Sequence, residues 1–260
     1  MTRPASLRRR AAAEALGTAL LAAVIIGSGI QADRLSPDIG VKLLANVLAS
    51  VTALGLLIAL LAPVSGAHLN PFITLAAWWS GELRPRHVAA YLAAQFTGAL
   101  AGAVLAHAMY GQPLLAPAGS VRWGPGVWLA EAVATAGLLL VAFGLTRSGR
   151  APLVPLAVSA WIAAAIWFTP SNSFANPALT VARSLSDTFA GIAPSSAALY
   201  LAAQLVGAVA GLAAVVVLFG RASPRRPSRV VTRSPAPPAP APPSASPADG
   251  PGPPAARPAT

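Results

Sequence analysis

Two short segments concentrate the polar chemistry of an otherwise apolar chain: "HLNPFITLA" (68–76) and "FANPALTVA" (174–182). In each, an asparagine precedes a proline. An asparagine carboxamide donates and accepts hydrogen bonds without ionising. Asn is also a preferred N-cap and Pro a preferred first helical residue, so Asn70-Pro71 and Asn176-Pro177 each predict a helix start. The other polar groups set among apolar runs are Glu14, Glu131, His68 and Arg183. The set contains no nucleophile–base pair and no metal-ligand cluster. It predicts no enzyme, no metal and no cofactor. The chemistry it offers is hydrogen bonding to small, uncharged, oxygen-bearing solutes.

These residues must be positioned by membrane elements. The chain has 260 residues, 55% hydrophobic and only 10% charged, where a soluble domain carries about 25% charge. A helical span needs about 20 apolar residues, and runs of that order fall at about 12–31, 40–62, 87–109, 126–146, 152–169 and 195–219. The alternating segments of a membrane barrel are missing. Glu14 opens the first run and no small-residue cleavage site follows, which argues against a secretory leader. After each Asn-Pro only about ten apolar residues precede "SGELRPR" or "SLSD", too few to span. Each is expected to be a re-entrant loop followed by a half-helix.

The net charge of +11 invites a nucleic-acid reading, but its placement explains it otherwise. With both ends inside, the inner segments hold most of the basic residues, and the outer side keeps Arg34, Lys42, Arg122 and Arg183. This is the positive-inside pattern, so the basicity orients the chain in the lipid bilayer and implies no nucleic-acid partner. Cysteine is absent, which excludes disulfides and thiolate metal sites. One lysine against seventeen arginines, with abundant Ala and Pro, points to a GC-rich bacterial genome and hence to the cytoplasmic (inner) membrane. The expected organisation is a cytoplasmic N-terminus (1–11), a channel domain (12–219) and a disordered, Pro-rich cytoplasmic tail (220–260) that cannot bury a core.

The channel domain repeats itself. "AEALGTALLA" (13–22) matches "AEAVATAGLL" (130–139), the two Asn-Pro segments match, and "YLAAQFTGALAGAVLA" (91–106) matches "YLAAQLVGAVAGLAAV" (200–215), all in the same order. The repeats cover about 12–110 and 126–219. Each contains three spans, an odd number, so the second half enters the bilayer from the opposite side. Inverted repeats of this kind place the transport path at their interface. The half-helices then dip from opposite faces and meet N-terminus to N-terminus, each end carrying roughly +0.5 elementary charge. Irregular backbone at that depth is tolerated only where protein covers it or it lines a cavity. The expectation is a pore that disfavours cations and protons, with Asn70 and Asn176 at the constriction.

At these residues the sequence resembles the aquaporin and major intrinsic protein family. "SGAHLNP", "ANPA", the Glu-x-x-x-Thr openings of the first and fourth spans and the half-to-half repeat carry the resemblance over about residues 10–220. It implies an all-α membrane fold of six transmembrane helices and two re-entrant half-helices in an inverted repeat. It also implies a homotetramer with one pore per subunit, and passive facilitated diffusion. Asn70 and Asn176 take the role of the family's central asparagines. His68, Pro71, Phe72, Pro177 and Ala178 are the flanking motif positions. Glu14 and Glu131 take a structural role, accepting hydrogen bonds from the re-entrant loops.

The departures bear on substrate. Phe72 stands where the first motif usually has Ala and is expected to crowd the half-helix start or narrow the lumen. The family usually has Arg three residues after the second Asn; here it is Leu179, with Arg183 about 6 Å further out at helical rise, in the outer vestibule. Spacing assigns Ser173 and Ala164 to the remaining filter positions, with Leu54 or Ser50 on the second span. Such a filter lacks His, aromatic and Arg at the matched positions. It is expected to pass solutes larger than water, such as glycerol-like polyols, urea or a trihydroxy metalloid like arsenous acid, together with some water. The segment "ANPALTVARSLSDTFAGI" resembles a bacterial subgroup associated with arsenic-resistance genes. A water-selective channel is the nearest alternative. The Glu residues also admit a proton-coupled secondary transporter.

Remaining polar residues are read structurally. His68 is expected to pack in its loop against carbonyls, His87 and His107 to lie at the interface, and Arg183 to pair with Asp187 four residues on. Gly98, Gly102, Gly207 and Gly211 form small-xxx-small pairs that predict close helix crossings.

Overall fold

A computed structural model describes residues 5–221. The chain divides into two units after Ser223, and the second unit lies outside the described residues, as do residues 222–260 of the expected disordered tail. Among the described residues every regular element is helical. The order is α1 (Leu7–Leu35), α2 (Ile39–Ser65), α3 (Pro71–Trp79), α4 (Pro85–Tyr110), α5 (Pro125–Arg147), a 3-10 turn (Ala151–Leu153) leading into α6 (Val154–Phe168), α7 (Pro177–Ser184) and α8 (Pro194–Phe219). Six of these helices are long and apolar enough to cross a membrane. The other two, α3 with nine residues and α7 with eight, are the half-helices.

Local chemistry sets these boundaries. Five helices open on proline at the first helical position (Pro71, Pro85, Pro125, Pro177 and Pro194), where the missing N–H costs nothing. Asp38 caps α2 by accepting from the Val41 N–H at 2.8 Å. Gly66 and Gly111 end α2 and α4 in left-handed conformations that favour glycine. α1 begins at Leu7, earlier than the apolar run, so the three arginines of "LRRR" belong to its first turn. Arg10 is anchored there. Its Nε donates to Tyr91 Oη at 2.8 Å and Nη2 to the Ser65 carbonyl at 3.3 Å.

The halves correspond helix by helix, α1–α4 with α5–α8. In each, the first span packs against the last. A Cβ added at Gly98 or Gly102 would overlap the carbonyl oxygens of Ala15 and Ala19 on α1. One added at Gly207 or Gly211 would overlap those of Ala132 and Ala136 on α5. Helix association inside a bilayer relies on this kind of close backbone approach. The halves are joined through α2 against α6, α7 against α4, and α3 against α8. Leucines and valines such as Leu48, Leu56, Leu156 and Val217 are exposed on the outer surface, where lipid tails suit them.

Gly102→Leu is expected to force α1 and α4 apart and lower stability by about 1–3 kcal/mol or more. Gly126→Ala, with open space around its Cβ position, should be neutral. Thermal unfolding of the two variants in detergent distinguishes these outcomes.

Candidate functional site

The two re-entrant loops are held by one motif built twice. Glu14 on α1 is fully buried and accepts from Ser65 Oγ at 2.6 Å, the His68 N–H at 3.0 Å, the Leu69 N–H at 2.7 Å and Gln95 Nε2 at 2.9 Å. Glu131 on α5, equally buried, accepts from the Phe174 N–H at 3.2 Å, the Ala175 N–H and Gln204 Nε2 at 2.8 Å. The amide of Gln95 also donates to Thr74 Oγ1, and that of Gln204 to Thr180 Oγ1, each at 2.9 Å. Tyr91 and Tyr200 donate to the Ser65 and Ser171 carbonyls. A carboxylate only accepts, so it can take several loop N–H groups at once.

The loops need such restraint. Ala67, Leu69, Asn172, Ser173 and Ala175 have φ of 47°, 49°, 58°, 42° and 47°. This left-handed region costs a side-chain-bearing residue about 1–3 kcal/mol when imposed. Among the described residues no donor reaches the carbonyls of Gly66, Ala67, His68, Asn172, Ser173 and Phe174, and all six residues line one cavity. The strained backbone thus presents unpaired acceptors to the lumen.

The half-helices meet head to head. Asn70 Oδ1 accepts from the Phe72 N–H at 2.9 Å, capping α3. Asn176 Oδ1 accepts from the Ala178 and Leu179 N–H groups at 3.1 and 3.3 Å, capping α7. Their amides cross over. Asn70 Nδ2 donates to the Ala175 carbonyl at 2.7 Å, and Asn176 Nδ2 donates to the Leu69 carbonyl at 2.8 Å. Each amide has two hydrogens, so one remains for a solute, and both asparagines line the cavity.

That cavity, of about 280 Å³, runs between the two ends of the bundle. At one end it touches Glu82, Thr146 and Val154; at the other, Leu43, Arg122 and Phe189. The loops and asparagines form a polar strip along it, and the remaining wall is mainly aliphatic, with Ile25, Leu54, Ile58, Leu138 and Ile162, and with Asn46 and Ser50 as polar interruptions on α2.

A comparison with known families matches residues 1–173 to "Major intrinsic protein". The aquaglyceroporin AqpS of Rhizobium meliloti is 46% identical over 84% of this chain and 93% of its own length. The chain belongs to the major intrinsic protein family. The glycerol uptake facilitator of Pseudomonas aeruginosa is 31% identical over 73% of this chain and 77% of its own. The X-ray structure of the aquaglyceroporin from Plasmodium falciparum superposes with a TM-score of 0.62 at 22% identity, over 80% of this chain and 95% of that one, a likeness of fold.

As a major intrinsic protein, the chain places its expected filter residues unevenly. Leu179, Ser173 and Arg183 line the lumen. Ser50 and Leu54 both lie on the lumen face of α2, one turn apart between Asn46 and Ile58. Ala164 is a correction. It sits exposed on the outer side of α6, while Val154, Val158, Ile162 and Ile166, four residues apart, face the lumen. Counting back from Asn176 crosses the irregular segment after Phe168, which shifts the helical register. Phe72 is buried in the hydrophobic core and does not line the cavity, so it fills packing space. Pro71, Pro177 and Ala178 are likewise buried off the lumen.

Three further expectations are corrected. Arg183 does not pair with Asp187. Its Nε donates to the Ala190 carbonyl and its Cζ lies 3.3 Å from the centroid of the Phe174 ring. Asp187 accepts from the Gly119 N–H at 3.0 Å. His107, near the end of α4, is buried within the protein instead of exposed at the span end, with Nδ1 2.7 Å from the Leu114 carbonyl and Nε2 2.8 Å from Ser186 Oγ. His68 lines the lumen, but its ring bonds the Thr74 hydroxyl at 3.1 Å, not a carbonyl. The sequence reading missed Gln95, Gln204, Thr74 and Thr180 as supports, although the repeated "YLAAQ" carried the signal for the glutamines and the paired Asn-Pro segments that for the threonines. It also missed Arg122 in the lumen, for which the only sign was a basic residue on the sparsely charged outer side.

Glu131→Gln would turn an amide group toward the Phe174 and Ala175 N–H donors. Each stranded donor costs about 1–3 kcal/mol, so the variant should unfold at lower temperature in detergent and lose flux in proteoliposomes. A variant with both properties intact would contradict the structural role of this carboxylate.

Proposed function

We propose that the chain is a passive channel for small uncharged solutes larger than water: glycerol-like polyols, urea, or a trihydroxy metalloid such as arsenous acid, with some water. The observation that carries this reading is the two-sided lumen. Six carbonyls with no protein donor among the described residues belong to the same lumen-lining loops as two asparagine amides, and mainly aliphatic side chains, interrupted by Asn46 and Ser50 on α2, line the wall between the charged ends. A polyol has the matching pattern, hydroxyls on one edge and C–H groups on the other. It can exchange water for wall contacts without an unpaired group.

Leu179 at the position where the family usually has Arg supports a solute wider than water. The names of the relatives, an aquaglyceroporin, a glycerol uptake facilitator and the propanediol uptake facilitator PduF of Citrobacter freundii, favour the same class. Two half-helix N-termini pointing at one constriction give a positive potential that opposes cations and protons. Glu14 and Glu131 are fully committed to loop donors, which disfavours them as proton carriers. The same reading makes the protein a homotetramer in a bacterial cytoplasmic membrane with both termini cytoplasmic, as the arginine distribution favours. Transport then involves no chemical step and no cofactor.

In proteoliposomes, light scattering should show shrinkage and then reswelling in glycerol or urea, with rates indifferent to a proton gradient. Gradient-driven accumulation would replace this reading with the transporter. Leu179→Arg should cut glycerol entry about tenfold, equivalent to about 1.4 kcal/mol of added barrier, while sparing water. Equal effects on both solutes would remove Leu179 from the filter.

A further inference from the structure

We propose that the end of the lumen away from the N-terminus binds a small oxyanion, of the carboxylate or sulfonate class, between Arg122 and Arg183, and that an anion seated there obstructs solute flow. This rests on the channel reading above.

Both arginines line the cavity and both are centred on one ring, with Cζ of Arg183 3.3 Å and Cζ of Arg122 5.5 Å from the Phe174 centroid. Neither forms a salt bridge; among the described residues the ion pair is Lys42 with Asp33. The nearby carboxylates bond neutral donors and not the guanidinium groups: Glu131 takes two loop N–H groups and Gln204, and Asp187 takes Gly119. Arg183 is nine-tenths buried and its guanidinium makes one hydrogen bond, through Nε to Ala190, which leaves its Nη groups without a protein acceptor. Arg122 places Nη1 on Asn172 Oδ1 at 2.6 Å, while its Nε is buried with no partner. Beside them Ser173 Oγ, buried and lining the cavity, also has no partner.

The result is two guanidinium groups at one end of the lumen, with neither in a salt bridge and with the Arg183 Nη donors unused. Planar guanidinium forks match carboxylate and sulfonate oxygens. One turn deeper on α7 the wall becomes Leu179, and α6 contributes Ile162 and Ile166 to the same lumen. A small anion that enters loses its solvent there and gains few donors, at a cost of several kcal/mol. It therefore stops at the arginines and occupies the path that a neutral solute must take.

Methanesulfonate is a suitable probe, because it stays ionised and cannot cross the lipid as a neutral acid. Glycerol flux is measured in proteoliposomes in sodium methanesulfonate and in sodium chloride of equal osmolarity and ionic strength. Wild type should slow saturably in methanesulfonate. Arg122→Gln and Arg183→Gln should each raise the half-blocking concentration about tenfold, the loss of one charge-assisted contact. Each variant is compared with its own flux in chloride, and Arg122→Gln serves if Arg183→Gln fails to fold. Arg150→Gln, exposed and off the lumen, should block like wild type. Wild-type flux indifferent to methanesulfonate, or an unshifted block in Arg122→Gln, overturns the anion site alone. Absence of glycerol flux in chloride overturns the channel reading and the site with it.

Discussion

A peptide group buried at the middle of a bilayer has no water to bond with, and this chain places two irregular stretches there. Everything near the lumen follows from how their N–H groups are satisfied. Glu14 and Glu131 take the loop donors that no helix can take, and Gln95 and Gln204 hold each carboxylate in place while reaching the half-helices through Thr74 and Thr180. With the N–H groups secured on the protein side, the carbonyls are left on the lumen side. The same arrangement that makes buried loops tolerable supplies the acceptors that a solute meets. Support and function are the two sides of one strip of backbone.

The halves are bound to one another by exchange. Each asparagine caps its own half-helix with its oxygen and grips the opposite loop with its nitrogen. A single residue type thus ends a helix, joins two repeats and offers a donor to the passage. Aspartate could cap but not donate, and serine has too short a reach for both. The electrostatic result adds to the geometric one, since two partial positive charges converge on a passage with few compensating acids.

Much of this was legible in the sequence. Span number, half-helices, inversion and the paired asparagines all came from apolar run length, Asn-Pro caps and the repeat, which are local or periodic signals. Observed helices exceed the apolar runs mainly because polar first turns, such as the arginines of α1, carry no hydropathy. The paired glycines at the α1–α4 and α5–α8 crossings were also readable, because spacing alone defines them. What failed depended on register across irregular backbone. Ala164 was misplaced because the residues between α6 and Asn176 do not follow helical geometry, so counting lost phase. Arg183 was given a helical neighbour, Asp187, although α7 ends at Ser184, before that spacing can act. Arg122 lies far from both motifs in sequence, and its approach to Phe174 is a tertiary fact.

The half-helices bridge the repeats. α3 packs against α4 and α8, and α7 against α8 and α4, so each short helix rests on the last spans of both halves. Neither repeat alone supplies both spans that its half-helix touches. A single such repeat would gain the second by inserting both ways up and pairing with its own reversed copy. The present chain is that antiparallel embrace made covalent, with the two copies since free to diverge, as phenylalanine in one motif and alanine in the other already record.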